Sequence, residues 1–460
     1  MTLQHFDPTI LDNDRTGREP LLAVLDAALA AVEPYAAVLS QLQRAGDRLT
    51  VSGRTYDLRA YRHVYVIGAG KAGAPMTRAV ESLLGDRIAN GLVVVKYGHG
   101  GATERVEIVE AGHPVPDAAG LAAGARMLAL ANAATADDLV LAVLSGGGSA
   151  LLEAPAGLFL ADMQATTNAL LASGATINEV NCLRKHLSAI KGGQLARAVQ
   201  PATLITLVLS DVVGSPLDVI ASGPTVPDST TWQDAWAVVE RHGLASTLPA
   251  PVTERLRAGL AGALQDTPKP GDALFANVQT VIVGDNRVAA LAACSQAAAL
   301  GYNARLLTTF LEGEASEVAK FAVALGREVQ ASGHPAAAPA CIVLGGETTV
   351  TLGEPHGVGG RNQELALAAA LALDGTSGIT VAALATDGTD GPTDSAGAIV
   401  DGSTVARGRA LQLDAALALQ QHDAYPYLTA TGDLLSSGPT QTNVNDLLVV
   451  MVRGNGANSA

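Results

Sequence analysis

The chain has 460 residues, of which 48% are apolar, 16% charged and only 3% aromatic. That length exceeds what one hydrophobic core fills, so two domains with cores of Ala, Leu and Val are expected. Acidic residues outnumber basic ones 44 to 29, for a net charge of -15, which excludes nucleic acid and anionic membrane surfaces as main partners but not a phosphate ligand, which needs only a few local donors.

The opening residues, MTLQHFDPTILDNDR, carry acids and a proline where a secretory signal needs a basic start and an apolar run. No stretch approaches the roughly 20 apolar residues of a membrane span. Cys182, Cys294 and Cys341 lie far apart without CxxC spacing, so neither a disulfide framework nor a thiolate zinc site is signalled. A cytoplasmic protein is expected, and a homodimer is allowed.

An Ala-rich amphipathic segment (20–45) precedes the first strand, HVYVIG (63–68). That strand runs into GAGKAG, where Gly68, Gly70 and Gly73 have the G-x-G-x-x-G spacing of a dinucleotide fold. The next strand, GLVVVKY (91–97), ends on Lys96 where that fingerprint wants an acid for a ribose hydroxyl, so NAD is disfavoured and NADP left open. Lys71 puts an ammonium beside a helix N-terminus, where phosphate oxygens also meet free N–H groups; a surface lysine in an ordinary tight turn is the plain alternative.

Strand 138–144 leads into Ser145, Gly146, Gly147, Gly148 and Ser149, a backbone able to cradle an anion or simply a glycine turn. Neither GxxxxGK[ST] nor GxSxG is present, so any ATP site is not a Walker A loop and no nucleophile elbow is signalled. INEVNCLRKHLSAIKGGQLA (177–196) reads as a helix crowding Asn181, Arg184, Lys185 and His186 into one turn, with Lys191 following; a solvated face explains that crowding equally well. LVLSDVVGSP (207–216) sets Asp211 at a strand's carboxyl end, as a base, a metal ligand or a cap.

Prolines and charges between 246 and 277 suit a connector, so the expected domains are 1–245 and 278–460. In the second, alternating strands (278–286, 298–308, 340–350, 378–388 and 445–452) again suggest a parallel sheet, and GNGANSA reads as a tail. GVGGRNQELALAAALAL starts a helix with Arg361, Asn362 and Glu364; a cation there calls for an anion or a carboxylate partner, Glu364 being one. ATDGTDGPTDSAGA carries Asp387, Asp390 and Asp394 without EF-hand spacing. One or two of them suit magnesium held jointly with substrate phosphates.

GAGKAG, SGGGSALL, INEVNCLRKHLSAIKGGQLA, LVLSDVVGSPLDVIASGPTVPD, GGRNQELALA and ATDGTDGPTDSAGA, in that order, resemble the glycerate 2-kinase family over nearly the whole chain. The resemblance implies two three-layer α/β/α domains with mainly parallel sheets and an interdomain cleft. It also implies transfer of the ATP γ-phosphoryl to the 2-hydroxyl of D-glycerate with Mg2+ or Mn2+. By the same resemblance Lys71 and Arg361 match the essential basic residues. Asp211 is then the candidate base and Asp387 the metal contact, with Gly70, Ser145, Gly146, Gly147, Gly148, Ser149, Asn181, Lys191 and Asn362 as binding residues. The family often has Ser where this chain has Asp285. An NAD(P)H-dependent hydroxypyruvate reductase is the alternative, and a non-catalytic sensor of phosphorylated sugar acids a second.

Overall fold

The computed structural model describes residues 3–6, 18–353 and 355–454. The expected tail lies, but for Gly454, outside them. The backbone divides into two compact units, one formed by Pro34–Val283 and the other by the described parts of Met1–Glu33 and Gly284–Ala460.

The Pro34–Val283 unit opens with helix Pro34–Gln41, followed by an antiparallel three-stranded sheet, β1 (Leu42–Ala45), β2 (Arg48–Val51) and β3 (Arg54–Asp57). Its main sheet is built from β4 (His63–Ala69), β5 (Ile88–Lys96), β6 (Glu107–Ala111), β7 (Asp138–Leu144), β8 (Thr203–Leu209) and β9 (Val278–Gly284), in the order β6-β5-β4-β7-β8-β9. Pairings from β6 through to β8 are parallel. Both faces are covered, which is why these strands read as continuous apolar runs. Leu92 and Val94 of β5 join a core with helix Ala118–Ala133, whereas Val93 and Val95 pack under Gly73 of helix Gly73–Leu84. Helices Leu160–Ala172, Ile177–Leu187, Trp232–Arg241 and Ala250–Leu260 share a separate core around Leu183, Trp232, Val239 and Leu256.

The domain limits differ from expectation. The run 278–286 supplies the last strand of this first sheet instead of opening the second domain; the one helix expected in the connector is present, Ala250–Leu260, but it packs into this unit's helical group. Helix Arg18–Ala31 belongs to the other unit, where the buried Arg18 guanidinium pairs with buried Asp433.

In that other unit β10 (Asn303–Leu311), β11 (Ala340–Gly346), β12 (Ile379–Ala385), β13 (Gly397–Asp401), β14 (Leu434–Leu435) and β15 (Asp446–Val452) are ordered β10-β11-β15-β12-β13-β14. Only β10 and β11 are parallel; the remaining pairings are antiparallel. The expected mainly parallel second sheet is thus corrected to a mixed one: β15 returns between β11 and β12, reversing direction on both sides. Helices Ala315–Ser332 and Arg361–Leu373 cover the face carrying Ile342, Leu344, Val381 and Val450. Helices Arg18–Ala31 and Asn286–Ala299 pack together on the other face, where Asn286 meets Gly345. Among the described residues no single helix is long and apolar enough to cross a membrane.

Candidate functional site

In the Pro34–Val283 unit the chemistry gathers at the carboxyl ends of β4, β7 and β8, where open parallel sheets place their ligands. Gly70 has φ +138°, and a Cβ there would lie 2.1 Å from Ser145 Oγ. Only glycine lets the two turns approach so closely. Ser145 Oγ accepts from the Ala72 N–H at 3.0 Å, and the Lys71 N–H donates to the Gly146 carbonyl at 2.9 Å. The β4 and β7 turns are thereby fastened together. The N–H groups of Gly146 and Gly147 donate to no described residue, and the Lys71 ammonium forms no ion pair among them.

Two lysines and two histidines meet at this rim. His113, beside Lys71, is pushed down to about 4 by burial first and then by Lys71, Lys96 and His99; His99 is lowered for similar reasons. Both imidazoles are therefore neutral at neutral pH.

Asp211 lies at the rim as expected, its Oδ2 only 2.0 Å from where a Cβ on Gly146 would stand. It caps no helix. Gly148 packs on Ala221, and a hydroxyl chain runs from Ser149 Oγ to Ser222 Oγ (2.9 Å) and on to Asn181 Oδ1 (3.1 Å). Ala221 and Ser222 hold φ of +50° and +60°, strain of the kind concentrated at functional sites.

Lys191 does not join this group, and its expected ligand role is corrected. Its ammonium is fully buried, donating to Glu153 Oε1 at 2.5 Å and to the Leu152 carbonyl at 2.9 Å. Lys185 is likewise committed, to Asp218 and Asp228.

In the other unit Arg361 begins helix Arg361–Leu373. Its Nε and Nη2 donate to the two oxygens of Asp446 at 2.5 and 3.0 Å, and Nη1 pairs with Glu347 at 2.9 Å. The partner is therefore not Glu364, which instead bonds His422. Three of the five guanidinium N–H groups are occupied, leaving two on a side chain 34% exposed. Burial raises the Asp446 carboxyl to about 6 against the pull of Arg361. Arg361 lines a cavity of about 450 Å³ walled by Val350, Leu352 and Pro392.

Asn362 is also corrected: it is buried and its side chain bonds Asp390 and Asp446, and Asp390 accepts the N–H groups of Asn362 and Gln363 and so caps the helix. Asp394 accepts from the Tyr425 hydroxyl. Asp387, at the end of β12, is half-buried and accepts from the Thr389 N–H. No cluster of three His, Cys, Asp or Glu that would hold a metal unaided exists among the described residues. A lone accessible carboxylate fits the usual binding of magnesium through one or two carboxylates plus substrate phosphates. Asp285 caps helix Asn286–Ala299 through the Val288 N–H.

Sequence reasoning missed His113, Ser222, Glu347 and Asp446. Glycine-rich exits flag the first two only as neighbours, and nothing local ties Asp446 to Arg361, 85 positions away.

Two family models match the chain, the domain of unknown function DUF4147 over residues 20–257 and the MOFRL family over 340–446. A Pyrococcus horikoshii protein named glycerate 2-kinase is 40% identical, matched over 95% of this chain and 97% of its own. An Agrobacterium vitis relative, 43% identical over 96% of this chain and 95% of its own, carries a provisional hydroxypyruvate reductase name. The crystal structure of a glycerate kinase from Thermotoga maritima superposes with a TM-score of 0.85 at 40% identity, covering 95% of this chain and 99% of that one. Similarity of this extent, carried through both units, shows that the chain belongs to the glycerate 2-kinase family.

Proposed function

We propose that the protein transfers the γ-phosphoryl group of ATP to the 2-hydroxyl of D-glycerate. The observation that carries this reading is the Lys71 ammonium, which has no ion-pair partner among the described residues, beside two loop N–H groups that donate to none of them. Phosphoryl transfer asks a protein mainly for positioning and charge neutralisation, and this rim supplies both. The glycerate 2-kinase names of the relatives support glycerate as the acceptor.

In this reading the Gly146 and Gly147 N–H groups and Lys71 hold phosphate oxygens. Asp211 accepts the proton of the attacking hydroxyl. Arg361, fixed by Asp446 and Glu347, offers its two remaining N–H groups to an anionic group. Asp387 would hold a divalent cation, which supplies charge neutralisation when bound. The 450 Å³ cavity beside Arg361 is in the range of nucleotide-sized ligands and larger than glycerate needs. The three cysteines are free thiols, in keeping with a cytoplasmic setting.

The reductase reading has a relative's name in its favour, but Lys96 ends β5 where a dinucleotide ribose would meet a carboxylate. Purified protein separates the two. Glycerate-dependent ADP release without NAD(P)H oxidation by hydroxypyruvate supports the kinase, and the reverse pattern overturns it.

A further inference from the structure

Arg184 stands on helix Ile177–Leu187, three residues beyond Asn181 and hence on the same side of the helix. It is half-buried, yet it forms no hydrogen bond or ion pair among the described residues. Its neighbours behave differently. Lys185 has two carboxylate partners, and Lys191 is locked to Glu153. A carboxylate oxygen is even available nearby: Glu153 Oε2 is buried without any hydrogen-bond partner, and Glu153 is near enough to act electrostatically on Arg184. Burial lowers the pKa of this guanidinium, so its cationic form is poorly solvated where it stands. A half-buried fork of five donors with no acceptor among the described residues is arranged for one the protein does not supply.

The surroundings indicate which anion. Phosphate oxygens already have Lys71 and the Gly146 and Gly147 N–H groups. Beside Asn181 lie the Ser222 and Ser149 hydroxyls, with Ser222 presented from left-handed backbone. Of these groups the Ser149 hydroxyl is half-buried, while Asn181 and Ser222 are buried and position it; a hydroxyl together with a planar cation matches a small hydroxy acid, since a guanidinium meets a carboxylate through two parallel N–H bonds.

Building on the kinase reading above, we propose that Arg184 binds the carboxylate of the acceptor acid, with the half-buried Ser149 hydroxyl, positioned by the buried Ser222 and Asn181, recognising a hydroxyl. Arg184 is therefore a specificity-determining residue for acids over uncharged polyols and amides.

The test uses full-length Arg184→Met and Arg184→Lys with D-glycerate, its uncharged analogue glyceramide, and ATP. Losing a charge-assisted bidentate contact is expected to raise KM for glycerate about 100-fold in the Met variant, with KM for ATP moved less than about twofold. The Lys variant falls between. The preference of the unsubstituted enzyme for glycerate over glyceramide collapses in the Met variant, and the melting temperature does not fall, because no protein partner is left unpaired. An unchanged KM for glycerate overturns the inference alone, as does a rise confined to KM for ATP, which would assign Arg184 to a phosphate. Absence of any glycerate-dependent turnover in the unsubstituted enzyme removes the kinase reading, and this inference with it.

Discussion

Gly146→Ala isolates the geometry of the rim with a single methyl group. Gly146 has no left-handed φ, so the backbone accepts alanine, but the new Cβ would stand 2.0 Å from Asp211 Oδ2 and 2.5 Å from its Cγ. Contacts below 3.0 Å do not persist, so the carboxylate must retreat by about 1 Å or turn away. A displacement of about 1 Å in a reacting group costs on the order of 100-fold in rate, whereas overpacking costs about 1–3 kcal/mol of stability. We therefore expect kcat for glycerate-dependent ADP release to fall about 100-fold while the protein remains folded by circular dichroism. Gly353→Ala, whose Cβ meets nothing within 4 Å, serves as a silent control. Undiminished kcat in Gly146→Ala would show that Asp211 has no part in the chemistry.

Other expectations follow from the same geometry. Lys71→Ala and Arg361→Ala should each lose about 100- to 1,000-fold in kcat, as expected for donors aimed at transition-state charge; near-normal turnover in either removes that residue from the mechanism. Burial holds the Asp446 carboxyl at about 6, so its charge and its grip on Arg361 are present above that pH and lost as pH falls through it. The kcat/KM profile should show an acid limb near 6 that Asp446→Asn abolishes, with a plateau lowered about tenfold for one lost hydrogen bond; an unchanged limb assigns it to another group. Lys191→Met strands Glu153 as a buried charge and should destabilise by about 3–5 kcal/mol in urea melts, while adding Glu153→Leu restores most of that. A stable single variant would return Lys191 to the list of ligand contacts.

Much of the first sheet was legible in the sequence because parallel strands between two helical layers leave unbroken Val and Leu runs closed by glycine. The same runs misled in the second unit. A strand buried on both faces reads alike in either direction, so nothing in 445–452 announces that β15 returns antiparallel between β11 and β12. Helix Arg18–Ala31 needs an apolar partner, yet its pattern does not say which, and its buried pair with Asp433 spans 415 positions. In the site, glycines and Lys71 stood out because backbone closeness and a cation at a helix start are local demands. Lys191 and Asn362 looked available because Glu153 and Asp390, which absorb them, are distant in sequence. Arg184 was visible only as one of a crowd until the structure showed the rest of the crowd to be paired.

The most direct test of the account is a coupled assay of ADP release from Mg-ATP and D-glycerate, with the product resolved by phosphorus NMR. The account predicts glycerate-dependent ADP release with 2-phosphoglycerate as the product. Accumulation of 3-phosphoglycerate would contradict the placement of the acceptor, and no ADP release would contradict the kinase itself.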